Sequence, residues 1–282
     1  MDELGVASIG HLARVDDFRG AVHAVFVSSV YLEPASGPMI VIHHSAHGHT
    51  PSSCHVDNAR PITWGLRVGD RVAGRLGRLR VGDVMFDARH ARVWHPPQPA
   101  SLTAARFASL PYSPREAAVA DEATDPAAQR LSFRCNVLAM ALAIGSDRDA
   151  ALASRALVGR GPGLTPSGDD AIVGLLAVVH RACFDASMAE VAALARSVVT
   201  PLLDRTTPIS AHYLRLALDG HMGEHLTALA DACLRGRFVD RALLACVRNT
   251  GATSGRDALV GVAAGLSLVA RTSSSYALEG AA

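Results

Sequence analysis

The stretch SGDDAIVGLLA at residues 167–177 returns as SGRDALVGVAA at residues 254–264. Serine, glycine, aspartate, alanine, valine and glycine occupy the same positions in both, at a constant offset of 87 residues. Each copy follows a short turn-like segment, GLTP at 163–166 and GAT at 251–253. Such self-similarity predicts a duplicated turn–helix unit. It indicates a helical domain built around a pseudo-symmetric pair of helices.

Both copies begin in the way that helices commonly begin. Ser167 and Ser254 suit the N-cap position, where a hydroxyl accepts from an amide two or three residues on. Asp170 and Asp257 stand three residues later, where a carboxylate can reach back to the cap as in a capping box. We therefore predict that Asp170→Asn chiefly costs stability.

Asp169 differs from its counterpart in the second copy, which is Arg256. An acidic residue in the first turn suits the helix dipole, and this structural reading stands beside a functional one. In the functional reading, Asp169 points into a pocket and serves ligand binding or catalysis. Asp169→Asn would then leave the fold nearly as stable and weaken ligand binding.

Gly174 and Gly261 recur one turn further into each helix. Glycine inside a helix costs about 1 kcal/mol relative to alanine, and it is tolerated where two helices approach closely. We predict that the two copies pack on one another at these glycines.

The pattern of the chain changes near residue 98. Before it, short β-like runs such as residues 21–32 and 38–43 recur, and Gly-Asp turns at 69–70 and 82–83 favour hairpins. After it, alanine and leucine recur at helical spacing. The predicted fold class is α+β: a small β-rich N-terminal barrel or sandwich at 1–98, then an all-α C-terminal domain at 99–282 with the repeated turn–helix motif. Helices are predicted at 114–122, 126–144, 148–158, 168–184, 187–200, 209–219, 222–235, 238–248 and 255–270.

Composition narrows the possible functions. The chain has 282 residues, 49% of them hydrophobic, and a formal net charge of +1. This charge gives no reason to expect nucleic acid or a membrane as partner. All 27 basic residues are arginine, so lysine Schiff bases and Walker-type lysines are excluded. Five cysteines without a CxxC motif are a poor disulfide framework. With no signal-peptide core and no long apolar run, a cytoplasmic protein is predicted.

The glycine-rich stretch GRGPGLTPSGDD at 159–170 precedes the first repeated helix, and RTTPISAHYL at 205–214 has a similar pattern. Helix starts present free amides and a positive dipole end, so three converging starts with arginine can hold an anion without lysine. The carboxylates would then need an amide NH₂ of the ligand or Mg²⁺ as partner. No other cofactor is predicted. Predicted to bind the anionic substrate are Arg160, Gly163, Thr165, Ser167, Gly168, Arg205, Thr206, Thr207, Ser210, Thr253, Ser254, Gly255 and Asp257. Predicted to be catalytic are Asp169, Asp170 and His212, the last as a general acid or else a polar helix-face residue.

Five histidines and Cys54 crowd residues 43–55. They are His43, His44, His47, His49 and His55. A transition-metal site and a polar loop are both compatible with this composition, but the spacings match no common zinc site. The polar loop is the preferred interpretation, no metal site is predicted, and the role of the cluster stays open. GxSxG is absent, which disfavours a serine hydrolase.

The motifs GxGLTPSGDD, RTTxIS and GATSGRDALVG resemble the AllH family, which is associated with the oxamate carbamoyltransferase of allantoin breakdown. GPMIVIH, GLRVGDRV and ARVWHP extend the resemblance to the N-terminal region. The resemblance implies carbamoyl transfer between an oxamate-type acceptor and phosphate through carbamoyl phosphate, together with other protein subunits. It implies a role in nitrogen metabolism, but it does not fix the acceptor.

Three functions therefore stay open. The leading one is a carbamoyltransferase-related enzyme or subunit that binds carbamoyl phosphate through helix-start amides, with Arg160 or Arg205, and offers Asp169 to the carbamoyl NH₂. The second is a non-catalytic anion- or nucleotide-binding subunit of a larger complex. The third is a Mg²⁺-dependent phosphate-ester enzyme.

Overall fold

The computed structural model describes residues 2–44, 47–57, 65–99, 125–182, 186–237 and 239–279. The chain divides into two compact units, Met1–Pro97 and Gln98–Ala282. Strands make up the first unit and helices the second over the described residues, so the predicted α+β class and its β-then-α order are confirmed. The helix predicted at 114–122 lies outside the described residues.

The first unit is a closed sheet. Its strands are β1 (Asp2–Gly10), β2 (Arg19–Val25), β3 (Ser29–Pro34), β4 (Ile40–His44), β5 (Ser53–Val56), β6 (Arg71–Arg75), β7 (Arg78–Val81), β8 (Val84–Asp87) and β9 (Arg92–Trp94). They pair in the order β5-β4-β3-β2-β6-β7-β8-β1, and β1 pairs in turn with β5, so eight strands close into a barrel. Strand β9 runs parallel to the end of β1. Of the two predicted architectures, barrel or sandwich, the barrel is the one formed.

Alternation of side chains fills the barrel. Val30 and Leu32 on β3, Leu79 on β7 and Phe86 on β8 are fully buried, as expected where every second residue of a strand faces the core. Gly82 and Asp83 form the predicted tight turn, between β7 and β8.

Two other turns differ in detail from the sequence prediction. Gly69-Asp70 immediately precedes β6. Strands β6 and β7 are joined by Leu76 and Gly77, whose φ angles are 52° and 72°. Both angles are positive, as the hairpin turn that matches strand twist requires. This turn was not predicted, because leucine seldom adopts positive φ.

The second unit contains eight α-helices in its described part. They are α1 (Pro126–Ala143), α2 (Asp147–Leu157), α3 (Ser167–Arg181), α4 (Ala186–Val199), α5 (Pro208–Leu218), α6 (Glu224–Leu234), α7 (Arg241–Arg248) and α8 (Ser254–Glu279), with a 3-10 helix at Thr200–Arg205. Helix α3 is the central one and is buried over most of its length, since α8, α5 and α6 all pack against it. An almost uniformly apolar sequence after its first turn fits a helix that is covered on several sides.

The two repeated helices pack on each other as predicted. A Cβ added to Gly174 would lie 2.0 Å from the Ala258 carbonyl oxygen, and one added to Gly261 would lie 1.8 Å from the Ala171 carbonyl oxygen. Ala258 is itself the repeat counterpart of Ala171. The contact is therefore reciprocal, and glycine is required in both copies because any side chain would push the backbones apart.

Two further predictions concern the membrane and the thiols. Across the described ranges, none of the helices combines the length and the apolar character needed to cross a bilayer. Cys54, Cys135 and Cys233 are buried and Cys246 is exposed, all four as free thiols. Cys183 lies outside the described residues.

Candidate functional site at three helix starts

The connection between α2 and α3, residues 158–166, folds back on its surroundings. Gly159, Gly161 and Gly163 have positive φ angles of 72°, 132° and 86°. A Cβ on Gly159 would lie 2.4 Å from the Arg205 carbonyl oxygen, and one on Gly161 would lie 2.5 Å from the Ser167 nitrogen. Glycine thus provides both the left-handed backbone and the close approach. The loop lies directly against the start of α3 and the segment that leads into α5.

Asp169 ties these segments together. Its Oδ1 accepts a hydrogen bond of 2.8 Å from the Gly159 amide, and its Oδ2 accepts one of 2.6 Å from the Ser210 hydroxyl. The Thr206 hydroxyl donates to the same Oδ2. The residue is 1% exposed. The expectation that Asp169 points into an open pocket is therefore wrong, because both of its oxygens are engaged by donors of the protein.

The start of α5 is capped as its sequence suggests. Thr207 is the N-cap, and its Oγ1 accepts a 3.1 Å hydrogen bond from the Ser210 amide. Pro208 is the first helical residue, where its missing N–H costs nothing. The Thr207 hydroxyl also donates to the Leu164 carbonyl in the glycine-rich loop. The cap of α5 therefore serves as a second fastening for that loop.

At the starts of α3 and α8, side chains of one copy of the repeat interact with side chains of the other copy. The N-cap of α3 is Pro166, with no side-chain cap hydrogen bond, so the prediction that Ser167 caps α3 is wrong. The Asp170 carboxyl interacts with the Ser254 and Thr165 hydroxyls, and Thr165 Oγ1 lies 2.7 Å from Ser254 Oγ.

The second copy shows the mirror arrangement. Asp257 interacts with Ser167, the counterpart of Ser254, and with Thr253 of its own turn. Each aspartate therefore reaches the serine of the opposite copy, and the predicted pairing of Asp170 with its own Ser167 is not formed. The reason is tertiary: close packing of α3 on α8 brings the foreign serine within reach.

Burial controls the protonation of this carboxyl pair. Burial raises the pKa of Asp170 to about 8, the nearby Asp257 charge adds to the rise, and the Ser254 and Thr165 hydroxyls oppose it. Burial also raises the pKa of Asp257. Oδ2 of each residue is buried without a hydrogen-bond partner among the described residues. The Asp170 carboxyl therefore holds its proton over much of the neutral range.

The 158–166 connection, the start of α3 and the segment that leads into α5 meet at one place, which we call the junction. The two arginines predicted to bind the anion lie beside it. Arg160 and Arg205 are both exposed, and the Gly159–Arg205 backbone contact places them on adjacent segments. Gly163 is exposed, and a Cβ there would meet nothing within 4 Å. Two exposed arginines thus lie on the segments next to the loop, and a guanidinium group matches phosphate or carboxylate geometry.

Two of the predicted glycines have a packing duty. A Cβ on Gly168 would lie 2.0 Å from the Leu157 carbonyl oxygen, and one on Gly255 would lie 1.9 Å from the Val247 carbonyl oxygen. In both copies, the start of the repeated helix, α3 or α8, therefore crosses the end of the preceding helix, α2 or α7, at a glycine. This duty explains both residues without a ligand.

His212 lies inside α5 rather than on a polar face. It is 4% exposed, and burial lowers its pKa to about 4, with the Arg215 charge acting in the same direction. Its imidazole is therefore neutral near pH 7. A neutral imidazole is poorly suited to donate a proton to a leaving group, so a general-acid role has little support.

The histidines of the barrel form a cluster of rings in contact. The ring centroids of His49 and His55 are 4.1 Å apart, and those of His43 and His55 are 4.4 Å apart. His49 also stacks on Trp94 at 5.4 Å. Burial, with the charges of His55, His47 and His49, lowers the pKa of His43 to about 3.

The barrel cluster is thus not the polar loop that was predicted at 43–55, because His43 and His55 are buried in strands. Within the described ranges, no group of three or more His, Cys, Asp or Glu residues is placed to hold a metal ion.

The structure brings together most of the residues selected from the motifs at 159–170, 205–210 and 253–257. Two groups at this junction were not predicted from the sequence: Gly159, whose amide holds Asp169, and the Leu164 carbonyl, which holds Thr207. Gly159 could have been noticed as the first of three closely spaced glycines. The Leu164 carbonyl left no signal, because backbone acceptors are independent of residue type.

Taken together, these features define a two-unit α+β protein: a closed barrel, then a helical unit with a duplicated helix pair and one glycine-rich, arginine-flanked connection. Residues 157–266 match the family model described as oxamate carbamoyltransferase subunit AllH, and residues 6–93 match the AllH family N-terminal domain. The chain belongs to the AllH family. No curated protein and no solved structure matches it.

Proposed function

We propose that the chain is a carbamoyltransferase subunit that binds carbamoyl phosphate at the glycine-rich connection between α2 and α3. The observation that carries the proposal is the fastening of this loop by Asp169 to the start of α5, which leaves Arg160 and Arg205 exposed on adjacent segments. Family membership supplies the reaction class.

In this proposal the phosphate group is held by arginine and by loop amides. Arg160 and Arg205 provide two planar forks for phosphate oxygens. Gly161 and Gly163 are exposed, and they keep the backbone accessible to a ligand because no side chain screens the loop at those positions. The positive end of the α3 dipole adds a smaller attraction.

Asp169 then acts as a positioning residue. Its oxygens are saturated by Gly159, Thr206 and Ser210, so it does not accept from the carbamoyl NH₂ group. It fixes the spacing of the segments that carry Arg160 and Arg205. This is the form of preorganisation that makes charge stabilisation effective.

Transfer needs only positioned reactants and stabilised charge. The acceptor nitrogen forms a bond to the carbamoyl carbon, and the bond between that carbon and the bridging phosphate oxygen breaks. The phosphate leaves with the electron pair and takes the proton that the nitrogen gives up. The leaving group gains negative charge as it departs. Arg160 and Arg205 would stabilise that charge. An oxamate-like amide carboxylate is the proposed acceptor, and other subunits are the proposed partners.

Catalytic roles for Asp170 and His212 stay predictions. A carboxyl with a pKa of about 8 is largely protonated at neutral pH, and a protonated carboxyl is a poor ligand for Mg²⁺. The phosphate-ester alternative therefore has no specific support.

The experiment is calorimetric titration of carbamoyl phosphate into wild-type protein and into the Arg160→Gln and Arg205→Gln variants. We expect each variant to weaken binding about tenfold to a hundredfold, the range for one charged hydrogen-bonded contact. The matched control is Arg71→Gln, an exposed arginine of the barrel. Equal affinity in all four proteins would remove the proposed site.

Turnover separates enzyme from binding subunit. Formation of a carbamoylated oxamate-like acceptor is measured with the purified chain alone and with its co-purified partners. Binding without turnover in either case would indicate the non-catalytic alternative, and release of phosphate from other esters only with added Mg²⁺ would indicate the phosphate-ester alternative.

A further inference from the structure

An apolar stripe runs along the exposed side of α1. Phe133, Val137 and Met140 of α1 and its C-cap residue Ile144 are 70%, 42%, 39% and 66% exposed, respectively. Their spacing of four, three and four residues keeps them on one side of the helix. We call these four residues the α1 stripe. Because the opposite side of α1 packs in the core through Cys135, Leu138 and Leu142, this helix is apolar on two sides.

The stripe has the pattern of a helix–helix seam. Apolar residues alternating at four and three positions form the knobs of coiled-coil packing. Isolated exposed apolar residues are normal, but a contiguous row of large ones marks an interaction surface. The row spans eleven residue steps and hence about 16 Å of helix. It lies outside both ranges matched by the family models, 6–93 and 157–266, so family membership does not account for it.

The stripe is complementary to itself. When two copies of α1 run antiparallel about a twofold axis midway between Val137 and Met140, Val137 of each copy lies level with Met140 of the other. The same operation brings Phe133 level with Ile144. Every apolar residue of the stripe thereby meets an apolar residue, as an isologous interface requires.

Charges at the two ends of the stripe favour the same orientation. Arg130 and Arg134 are exposed near its beginning, and the exposed N-cap Asp125 leaves this end with a net charge of +1, since α1 itself contains no acidic residue. Beyond its end, the first turn of α2 exposes Asp147 and Asp149, with Arg148 between them, for a net charge of −1. Antiparallel pairing puts the basic end of one copy beside the acidic end of the other. Parallel pairing would put like charges together.

We propose that the occupant of the α1 stripe is a second copy of this chain, and that the protein forms a twofold dimer through antiparallel α1 helices. This dimer does not depend on carbamoyl phosphate binding.

The test is sedimentation equilibrium of the full chain over a wide concentration range. The wild-type protein is expected to approach twice the 29.5 kDa of one chain. The single variants Phe133→Asp and Val137→Asp each place one carboxylate per copy, and hence two per dimer, in the interface. Each is expected to raise the dissociation constant of the dimer about a hundredfold or more. The control is Val27→Asp, an equally apolar exposed position in the barrel unit, which should dimerise like the wild type. Circular dichroism confirms that each variant is folded.

Charge reversal tests the orientation. Arg130→Asp and Asp147→Arg should each weaken the dimer, and the double variant should restore it because the ends are complementary again. A wild-type protein that is monomeric at all concentrations overturns the proposal, as does a dimer that Phe133→Asp leaves intact. A monomer that loses a co-purifying protein on Phe133→Asp overturns it in favour of a different partner.

Discussion

The two repeats share a scaffold and differ in their connections. In both, a glycine in the first turn of the repeated helix packs against the end of the preceding helix. Gly168 of α3 contacts Leu157 of α2, and Gly255 of α8 contacts Val247 of α7. The connection has nine residues in the first repeat, 158–166, and five in the second, 249–253. The longer connection holds three glycines with positive φ, whereas the shorter one holds only Gly251. The longer connection is also anchored by Asp169, where the second copy has the exposed Arg256. Duplication thus explains the core, and the difference in the connections locates the candidate site.

Substitution of the packing glycine should destabilise the protein equally in both copies. Gly174→Ala and Gly261→Ala each place a Cβ about 2 Å from a carbonyl oxygen of the facing helix, and each should destabilise the helical unit by about 3 kcal/mol or more. Urea denaturation measures this loss. Gly5→Ala is the control, because a Cβ there meets nothing within 4 Å. A large loss in only one copy would show that the repeat is not structurally equivalent.

Substitutions at the equivalent positions Asp169 and Arg256 should reduce stability by different amounts. Asp169→Asn turns one acceptor oxygen into a donor facing Gly159 or the Thr206 and Ser210 hydroxyls, and it should cost about 2–3 kcal/mol. The Arg256 side chain, at the equivalent position, is exposed. Arg256→Gln should therefore cost only about 0.5 kcal/mol or less, as surface substitutions usually do. Thermal unfolding of both variants checks the difference. If the two variants lose the same stability, Asp169 does not anchor the loop.

Asp170→Asn should change the unfolding free energy by less than about 1 kcal/mol near pH 4, where the folded carboxyl is protonated and an amide resembles it. Toward neutral pH the variant should become more stable than the wild type, which must then take up a proton on folding. The effect of the substitution is on pH dependence. The folded-state pKa of about 8 is above the ordinary value of 3.8, so this group stabilises the fold at acidic pH and loses that contribution as pH rises from about 4 through 8. The variant should show a flatter decline of unfolding free energy between pH 5 and 8. A slope identical to that of the wild type would contradict the raised pKa.

The fold and the residues of the junction could be predicted from the sequence, but the contacts of Asp169 and Asp170 could not. The repeat predicted the contact of Gly174 and Gly261 because close packing of duplicated helices leaves glycine in both copies. The roles of Asp169 and Asp170 were assigned from local capping rules. Local rules cannot show that Ser254, 84 positions beyond Asp170, lies within reach of its carboxyl. The expected stability order of the two Asn variants is therefore reversed.

In the barrel, too, features set by local sequence could be predicted, whereas features set by tertiary contacts could not. The strand runs and the Gly82 turn followed from periodicity. The burial of His43 and His55 did not, because a histidine-rich stretch looks polar until strand pairing brings its rings into contact.

The most direct test of the central claim is a crystal structure with carbamoyl phosphate. We expect phosphate density beside the 158–166 connection, in contact with Arg160 and Arg205, while Asp169 keeps its bonds to Gly159 and Ser210. Phosphate at the five-residue connection before α8, or in the barrel, would contradict the proposed site.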